Sequence, residues 1–389
     1  MRRLREALVA RLLRDAPISA PVVAALREVP RHLFLPGMDP REAYRDEPIV
    51  TKRDDSGLPI SSSSQPAIMA VMLDQLRVRP GDRVLEIGAG TGYNAALLAC
   101  LAGPGGEVVS VDIDADLVDG ARAHLTRAGY PGIGTARLRV ERADGALGFP
   151  KRAPYDRIIA TVGVWDLEPA WSDQLAPGGR LVVPLDLRGV QVSAAFERAD
   201  GHWRSVSVVP AGFMRLRGPS AGPETERPYT DGTTIFLPEP RAVHTPPDGL
   251  TEPGVEVPSG VSATYRDVVH GANLWLATHD ARWCVLTGPT ERLTRPPTVM
   301  GAYAATGGLA AADGLAVLTA ELGALGYGPA GPALAEELAR MLRDWDRAGR
   351  PRCDSLRIEA YPLTGDTPRG EATVPKRHHV LVLGYTAAG

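Results

Sequence analysis

Arg83-Val84-Leu85-Glu86-Ile87-Gly88-Ala89-Gly90-Thr91-Gly92-Tyr93-Asn94 is a short apolar strand that runs into a glycine-rich turn and on into a helix. A ligand approaches a backbone closely only where side chains are missing, and such a turn uses dihedrals that a Cβ opposes. A dinucleotide-phosphate loop reads GxGxxG. This one is GxGxG with Glu86 at the strand end, a spacing that favours S-adenosyl-L-methionine over NAD. The sulfonium and amino group of that cofactor suit a nearby carboxylate such as Glu86. The next strand ends at Asp112, where an acidic side chain can accept both ribose hydroxyls, and Asp144-Gly145 brings a third carboxylate toward the adenine edge. Taken singly, each carboxylate is as consistent with solvation or capping. With the turn, Glu86, Gly88, Gly90, Gly92, Asp112, Asp144 and Gly145 form a candidate cofactor site at the carboxyl edge of a parallel sheet.

Outward from this stretch the pattern is βαβ wiring, with strands over 83–87, 108–112, 138–142, 157–161 and 180–184 and helices over 95–102 and 115–128. Strands over 192–197 and 203–210 alternate as antiparallel additions to the sheet edge. Upstream, helical spacing over 4–29 is broken by Pro17 and Pro21 into a two-helix cap, residues 30–65 read as a long irregular loop, and Pro66 opens a helix. The expected fold class is α/β, a Rossmann-like domain over 1–218. A Pro/Gly-rich linker follows over 219–260, containing one short strand at 234–237. The remainder, 261–389, reads as a second, smaller α+β domain with strands over 274–278 and 282–287, helices over 308–325 and 332–346, and final strands over 355–361 and 379–383.

Composition bounds what such a chain does. Its 389 residues are 44% hydrophobic and 23% charged, ordinary globular values, and a net charge of -3 gives no basic field for nucleic acid or an anionic membrane. Cys100, Cys284 and Cys353 lie far apart without metal-ligand spacing, so neither a disulfide framework nor a metal site is expected. No apolar stretch reaches the length of a membrane helix, and the Arg-rich start lacks a signal-peptide core, which together imply a cytoplasmic protein. Beyond the sheet, Trp275, Trp283, Trp345, Tyr303 and Tyr361 could line a peptide groove, but spaced aromatics are more often core. Adjacent His378 and His379 face opposite sides of a strand and cannot share a metal. Arg340, Arg343, Arg347 and Arg350 form a solvated face or a docking patch for an acidic leader peptide.

Several further blocks resemble one family. Val29-Pro30-Arg31-His32-Leu33-Phe34-Leu35-Pro36, Tyr44 to Pro48, Ser62-Ser63-Ser64-Gln65-Pro66, Ala153 to Ile159, Gln174 to Val182 and Phe213 to Gly218 follow, in order, motifs of the protein-L-isoaspartate (D-aspartate) O-methyltransferases. The resemblance implies a class I methyltransferase fold and methyl transfer from S-adenosyl-L-methionine to an aspartyl or isoaspartyl carboxylate. It also implies that Ser64 and Ser62 orient the acceptor, with Ser63, Gln65, Val162 and Arg215 as substrate-binding neighbours. A carboxylate with a reference pKa of about 3.9 is already ionised at neutral pH, so no general base is needed.

The departures lie beside the acceptor: Ser63 replaces an apolar residue, and Val162-Gly163-Val164-Trp165-Asp166 replaces a small-residue loop. With the long C-terminal extension, they are similar to the branch that acts on ribosomally synthesised, post-translationally modified peptides of the lanthipeptide or graspetide type. There the expected partner is a precursor peptide of the macrocyclised kind, whose aspartate ester closes to an aspartimide. A repair enzyme for isoaspartyl proteins, a small-molecule carboxyl methyltransferase and a noncatalytic cofactor-bound scaffold remain as alternatives.

Overall fold

In a computed structural model, which describes residues 1–55, 57–130, 136–223, 225–229, 231–239, 254–293, 296–300, 303–365 and 368–386, the central strands are buried on both faces. Continuous Val, Leu and Ile runs require this of a parallel sheet with helices on either side. Helices α1 (Arg2–Asp15) and α2 (Ala20–Glu28) form the expected cap. Residues 30–65 are more ordered than an irregular loop. They contain the short α3 (Pro40–Ala43) and an antiparallel hairpin of β1 (Ile49–Arg53) and β2 (Pro59–Ser63). Next come α4 (Pro66–Leu76), β3 (Arg83–Ile87), α5 (Tyr93–Ala102), β4 (Glu107–Asp112), α6 (Ala115–Arg127), β5 (Arg137–Arg142), β6 (Tyr155–Ala160), α7 (Pro169–Gln174) and β7 (Leu175–Leu187).

The pairs β5–β4, β4–β3, β3–β6 and β6–β7 are parallel, which brings the carboxyl ends of β3, β4 and β6 to one edge. Strands β8 (Val190–Ala199) and β9 (His202–Pro210) add to β7 in antiparallel fashion, as the sequence pattern predicts.

A second sheet collects β10 (Thr225–Pro228), β11 (Thr234–Leu237), β12 (Val255–Val257), β13 (Trp283–Pro289), β14 (Thr298–Met300), β15 (Tyr303–Ala311), β16 (Gly314–Leu318) and β17 (Ala324–Tyr327). The segment 219–260 is therefore not a plain linker, since three of its stretches are strands of this sheet; residues 240–253 lie outside the described residues. The helix expected over 308–325 is instead strand: β15 and β16 form a hairpin that turns on Ala312-Asp313, and β17 pairs antiparallel with β16. Small Ala and Gly residues mimic a helical pattern there, but Gly308 lies so close to β16 that an added Cβ would stand 2.0 Å from the Ala316 carbonyl oxygen. The strand expected over 274–278 is helical, in a run of α8 (Tyr265–Asp267), a π-helical turn (Val268–Ala272) and α9 (Asn273–His279) that starts on a Thr264–Asp267 capping box. Helix α10 (Gly331–Arg347) buries Leu334, Leu338, Met341, Leu342 and Trp345 at helical spacing against the second sheet.

The chain then returns to the first sheet. Strand β18 (Leu356–Pro362) pairs with β9, and β20 (His379–Tyr385) and β19 (Ala372–Pro375) follow it, giving ten strands in the order β19-β20-β18-β9-β8-β7-β6-β3-β4-β5. A boundary that assigns all of 261–389 to a separate domain is thus corrected. The free edge of β9 exposes unpaired backbone groups, and β18 covers it, with Ile358 N donating to Ser205 Oγ at 2.9 Å. Trp283 and Trp345 are core, while Trp275 stacks on His279. Arg340, Arg347 and Arg350 are in ion pairs with Asp344 and Asp346, so this face carries less net positive charge than the sequence suggests.

Substituting Gly308→Ala should lower stability by about 1–3 kcal/mol, the usual cost of overpacking. Thermal unfolding of the full chain checks this, and an unchanged midpoint would contradict the close strand approach.

Candidate active site

At the end of β3 the backbone turns through Gly88 at φ +100°. A Cβ there would stand 2.8 Å from Thr161 Oγ1 and 3.0 Å from Val162 Cγ1, so only glycine lets the turn lie against the end of β6. Gly88 N and Ala89 N donate to the Val111 carbonyl at 2.8 and 3.1 Å, and Thr161 Oγ1 donates to the Gly88 carbonyl at 2.7 Å. Three strand ends are thereby locked around a cleft of about 910 Å³, including its open mouth. Gly88, Gly90 and Gly145 line it. Gly92 does not: it starts α5, and a Cβ would meet Ala121 and Leu125 of α6 at 3.3 Å, so its smallness serves helix packing.

The three predicted carboxylates converge on this cleft. Glu86 is fully buried and accepts from Asn94 Nδ2 at 2.8 Å and Ser110 Oγ at 2.5 Å. Burial pushes its pKa up to about 7, against those two hydrogen bonds. Asp112 accepts from Gly90 N at 3.0 Å and Asp114 N at 3.3 Å, so it braces the glycine turn while keeping further lone pairs for a ligand. Burial raises its pKa as well. Asp144 accepts from Ala146 N at 3.0 Å and caps the turn that carries Gly145. Across the mouth, Asp114 receives Lys52 Nζ at 2.8 Å and Arg217 Nη2 at 2.7 Å, which ties the β1–β2 hairpin and the 213–217 segment to the start of α6.

A second wall is the serine run that leaves β2. Ser61, Ser62, Ser63 and Ser64 all line the cleft, and the wholly buried Arg31 fixes their backbone by donating to the carbonyls of Ser64 at 2.9 Å and Ser63 at 3.4 Å. The Ser63 hydroxyl is buried without a hydrogen-bond partner among the described residues, a cost that a polar ligand would remove. Gln65 is not part of the lining: its Nε2 donates to Asp46 Oδ2 at 3.1 Å, and Asp46 Oδ1 accepts from Ala67 N at 2.8 Å. Asp46, rather than a serine, therefore supports the start of α4. Sequence reading assigned no role to Arg31, Asp46, Asn94 or Ser110. Asn94 had a visible signal, as a lone amide in an apolar helix.

The third wall holds Val162, Met214 and Arg215. Gly163 N donates to the Met214 carbonyl at 2.8 Å and Leu216 N to the Gly163 carbonyl at 2.7 Å, while Asp186 N donates to the Val164 carbonyl at 2.8 Å. Arg215 Nη2 stands 3.6 Å from Asp186 Oδ2. One end of the cleft is thus carboxylate-rich and suits a cationic nucleoside; the other offers hydroxyls and a guanidinium and suits an anion. A group passed between two such ligands would move from the cation to the anion.

Comparison with known proteins agrees with this geometry. A family model described as protein-L-isoaspartate(D-aspartate) O-methyltransferase matches residues 3–217. The protein-L-isoaspartate O-methyltransferase of Methanoculleus marisnigri is 42% identical over 221 residues, covering 56% of this chain and 93% of its own. That of Methanopyrus kandleri is 39% identical over 230 residues, covering 58% and 96%. A solved structure of a protein-L-isoaspartate O-methyltransferase is similar in fold over 91% of this chain and 96% of its own, with a TM-score of 0.52 at 24% identity. The likeness of fold therefore continues well past residue 218. Among the described residues no helix is long and apolar enough to cross a membrane.

The buried Glu86 makes a prediction about pH. Its folded pKa, near 7, lies above the ordinary 4.5, so the unfolded chain gives up this proton first and the group's contribution to stability falls as pH rises between those values. In Glu86→Gln this fall should vanish, so the variant's stability relative to wild type should increase with pH across that window. Urea unfolding at several pH values measures it, and equal slopes for the two proteins would refute a buried ionisable group.

Proposed function

The chain belongs to the protein-L-isoaspartate(D-aspartate) O-methyltransferase family, and from that premise we propose that it methylates the side-chain carboxylate of an aspartate in a modified ribosomal precursor peptide, the ester then closing to an aspartimide. The methyl donor is S-adenosyl-L-methionine, which when bound supplies an electrophilic methyl group on a positively charged sulfur. The observation that carries the reading is the paired cleft, with carboxylates at one end and the serine run with Arg215 at the other.

The donor side is Glu86, Asp112 and Asp144 with the backbone of Gly88, Gly90 and Gly145. The room made by missing Cβ atoms and the excess of buried carboxylate fit a cationic nucleoside. Gly92 and Gln65 support the site through packing and through Asp46. On the acceptor side Ser64 and Ser62 orient the carboxylate, and Ser63, Val162 and Arg215 bound it. The acceptor oxygen forms its bond to the methyl carbon while the sulfur–carbon bond breaks and leaves its electron pair on sulfur. Anion and cation become two neutral products, a change that a dry cleft favours over water. The walls hold the two reactants in line, which is the main work left to the protein.

In the second step the backbone nitrogen after the methylated aspartate attacks the ester carbonyl and methanol leaves, so the peptide ends one water lighter than it began. Support for a specialised acceptor is local: Ser63 adds a hydroxyl, and Trp165 and Arg215 stand at or beside the acceptor wall. The other reading, repair of isoaspartyl proteins, is favoured by what the relatives are called. The C-terminal residues do not separate the two, because a solved isoaspartate methyltransferase is matched over most of this chain.

Mass spectrometry of the enzyme with S-adenosyl-L-methionine and two acceptors in parallel decides between them. A methyl gain on a macrocyclic precursor peptide from the same genome, followed by net loss of water, is expected. Methylation of a short isoaspartyl peptide alone would return the protein to repair. Asp112→Ala should weaken donor binding about 10- to 100-fold, the value of one or two charge-assisted hydrogen bonds. Ser64→Ala should lower turnover by a similar factor, as loss of an orienting donor does, with donor affinity retained. Loss of donor affinity alone in Ser64→Ala would remove it from the acceptor side.

A further inference from the structure

Lys376, at the turn between β19 and β20, is buried, and its Nζ donates to the Asp186 carbonyl at 2.7 Å while lying 5.1 Å from the centre of the Trp165 ring. The groups facing it are Asp186 and Asp166, Arg188 and Arg215, and Arg377 approaches the same indole. Stability alone favours an apolar side chain in such a place, because a buried ammonium is costly to desolvate.

What the lysine touches is the frame of the acceptor wall. Asp186 is held by Lys376 through its carbonyl, by the Val164 carbonyl through its N–H, and faces Arg215 through its carboxylate. Two residues along, the same turn grips the loop after β6 again: Asp166 accepts from His378 N at 2.6 Å and pairs with His379 Nδ1 at 2.9 Å. His379 is thereby also among the titratable groups of this cluster. The loop that holds Asp166 also carries Val162, and Gly163 joins it to Arg215 by an isolated β-bridge.

We infer that Lys376 is a positioning residue for the acceptor: by fixing Asp186 and the Trp165 loop, it sets where Arg215 and Val162 stand in the cleft, so the returning C-terminal hairpin completes the acceptor site. This rests on the reading of that end of the cleft as the carboxylate side. Burial lowers the Lys376 pKa to about 8, so its charge is lost at the alkaline edge of the working range.

The test uses the full chain with Lys376→Met, which keeps length and removes charge, and Lys376→Arg, which restores a cation. With whichever acceptor wild type methylates, a macrocyclic precursor peptide or a short isoaspartyl peptide, Lys376→Met should raise the acceptor KM about 10- to 100-fold, the scale of a displaced positioning group, with a smaller change in kcat. Binding of S-adenosylhomocysteine, measured by calorimetry, should stay within about twofold of wild type, and Lys376→Arg should recover part of the loss. In wild type the acceptor KM should rise above about pH 8, and this inflection should be missing in Lys376→Met.

Hydrogen exchange gives a readout that needs no acceptor: the amides of Gly163, Asp186 and Leu216 should exchange faster in Lys376→Met, those of β4 unchanged. Unchanged exchange at the three amides would overturn the inference, as would a KM rise matched by an equal loss of S-adenosylhomocysteine affinity. Should wild type methylate neither the precursor peptide nor the isoaspartyl peptide, the acceptor assignment is at fault, and the exchange data still decide the positioning claim.

Discussion

Nothing in the cleft keeps its place if a side chain appears at Gly88. The turn sits within 3 Å of Thr161, and this contact brings the ends of β3, β4 and β6 together, with the Val111 carbonyl taking two amides from the turn. Close approach and hydrogen bonding reinforce one another, because the amides reach Val111 only when the backbone is this near. Asp112 then adds a carboxylate bond to Gly90, so the residue that faces a ligand also braces the loop around it. Binding and rigidity are thus supplied by the same atoms, and a ligand meets a surface already set to receive it.

From that frame the charge is divided unevenly. Glu86 is buried deeply enough to hold a proton near neutrality, and Asp112 is shifted in the same direction. A cation in the cleft would reverse both shifts, so part of its binding free energy comes from carboxylates that the empty protein holds at a cost. Asp114, just outside, is neutralised by Lys52 and Arg217 and contributes little to that excess. At the far end Asp186 offsets Arg215, which leaves that wall polar without a large unbalanced field.

Much of this was legible in the sequence because the signals were local. A strand, a glycine turn and acidic strand ends lie within short stretches, and periodicity reports burial directly. Gly92 and Gln65 were misplaced for the same reason: a motif names neighbours in the chain, while the fold turned one toward α6 and the other toward Asp46. The 308–325 segment failed differently, since Ala and Gly suit a helix locally and only the neighbouring strand explains why two glycines are needed side by side. Arg31 and Lys376 were illegible because their partners are set by tertiary structure, 33 and 190 residues away.

That last distance follows from how the first sheet is completed. A sheet that ended at β9 would leave an open edge, and β18 closes it; once β18 is in place, the β19–β20 turn is carried back to the loop after β6. The loop itself is inserted between β7 and the 213–216 segment, held by backbone bonds to both. Asp166 and Asp186 supply the two points at which the returning turn can grip the frame, Asp166 through its buried carboxylate and Asp186 through its backbone carbonyl, while the Asp186 carboxylate is held by Gly189 N and Arg215. The first sheet and its late strands therefore share one electrostatic joint, and the cleft wall that holds Val162 and Arg215 is braced by the returning hairpin.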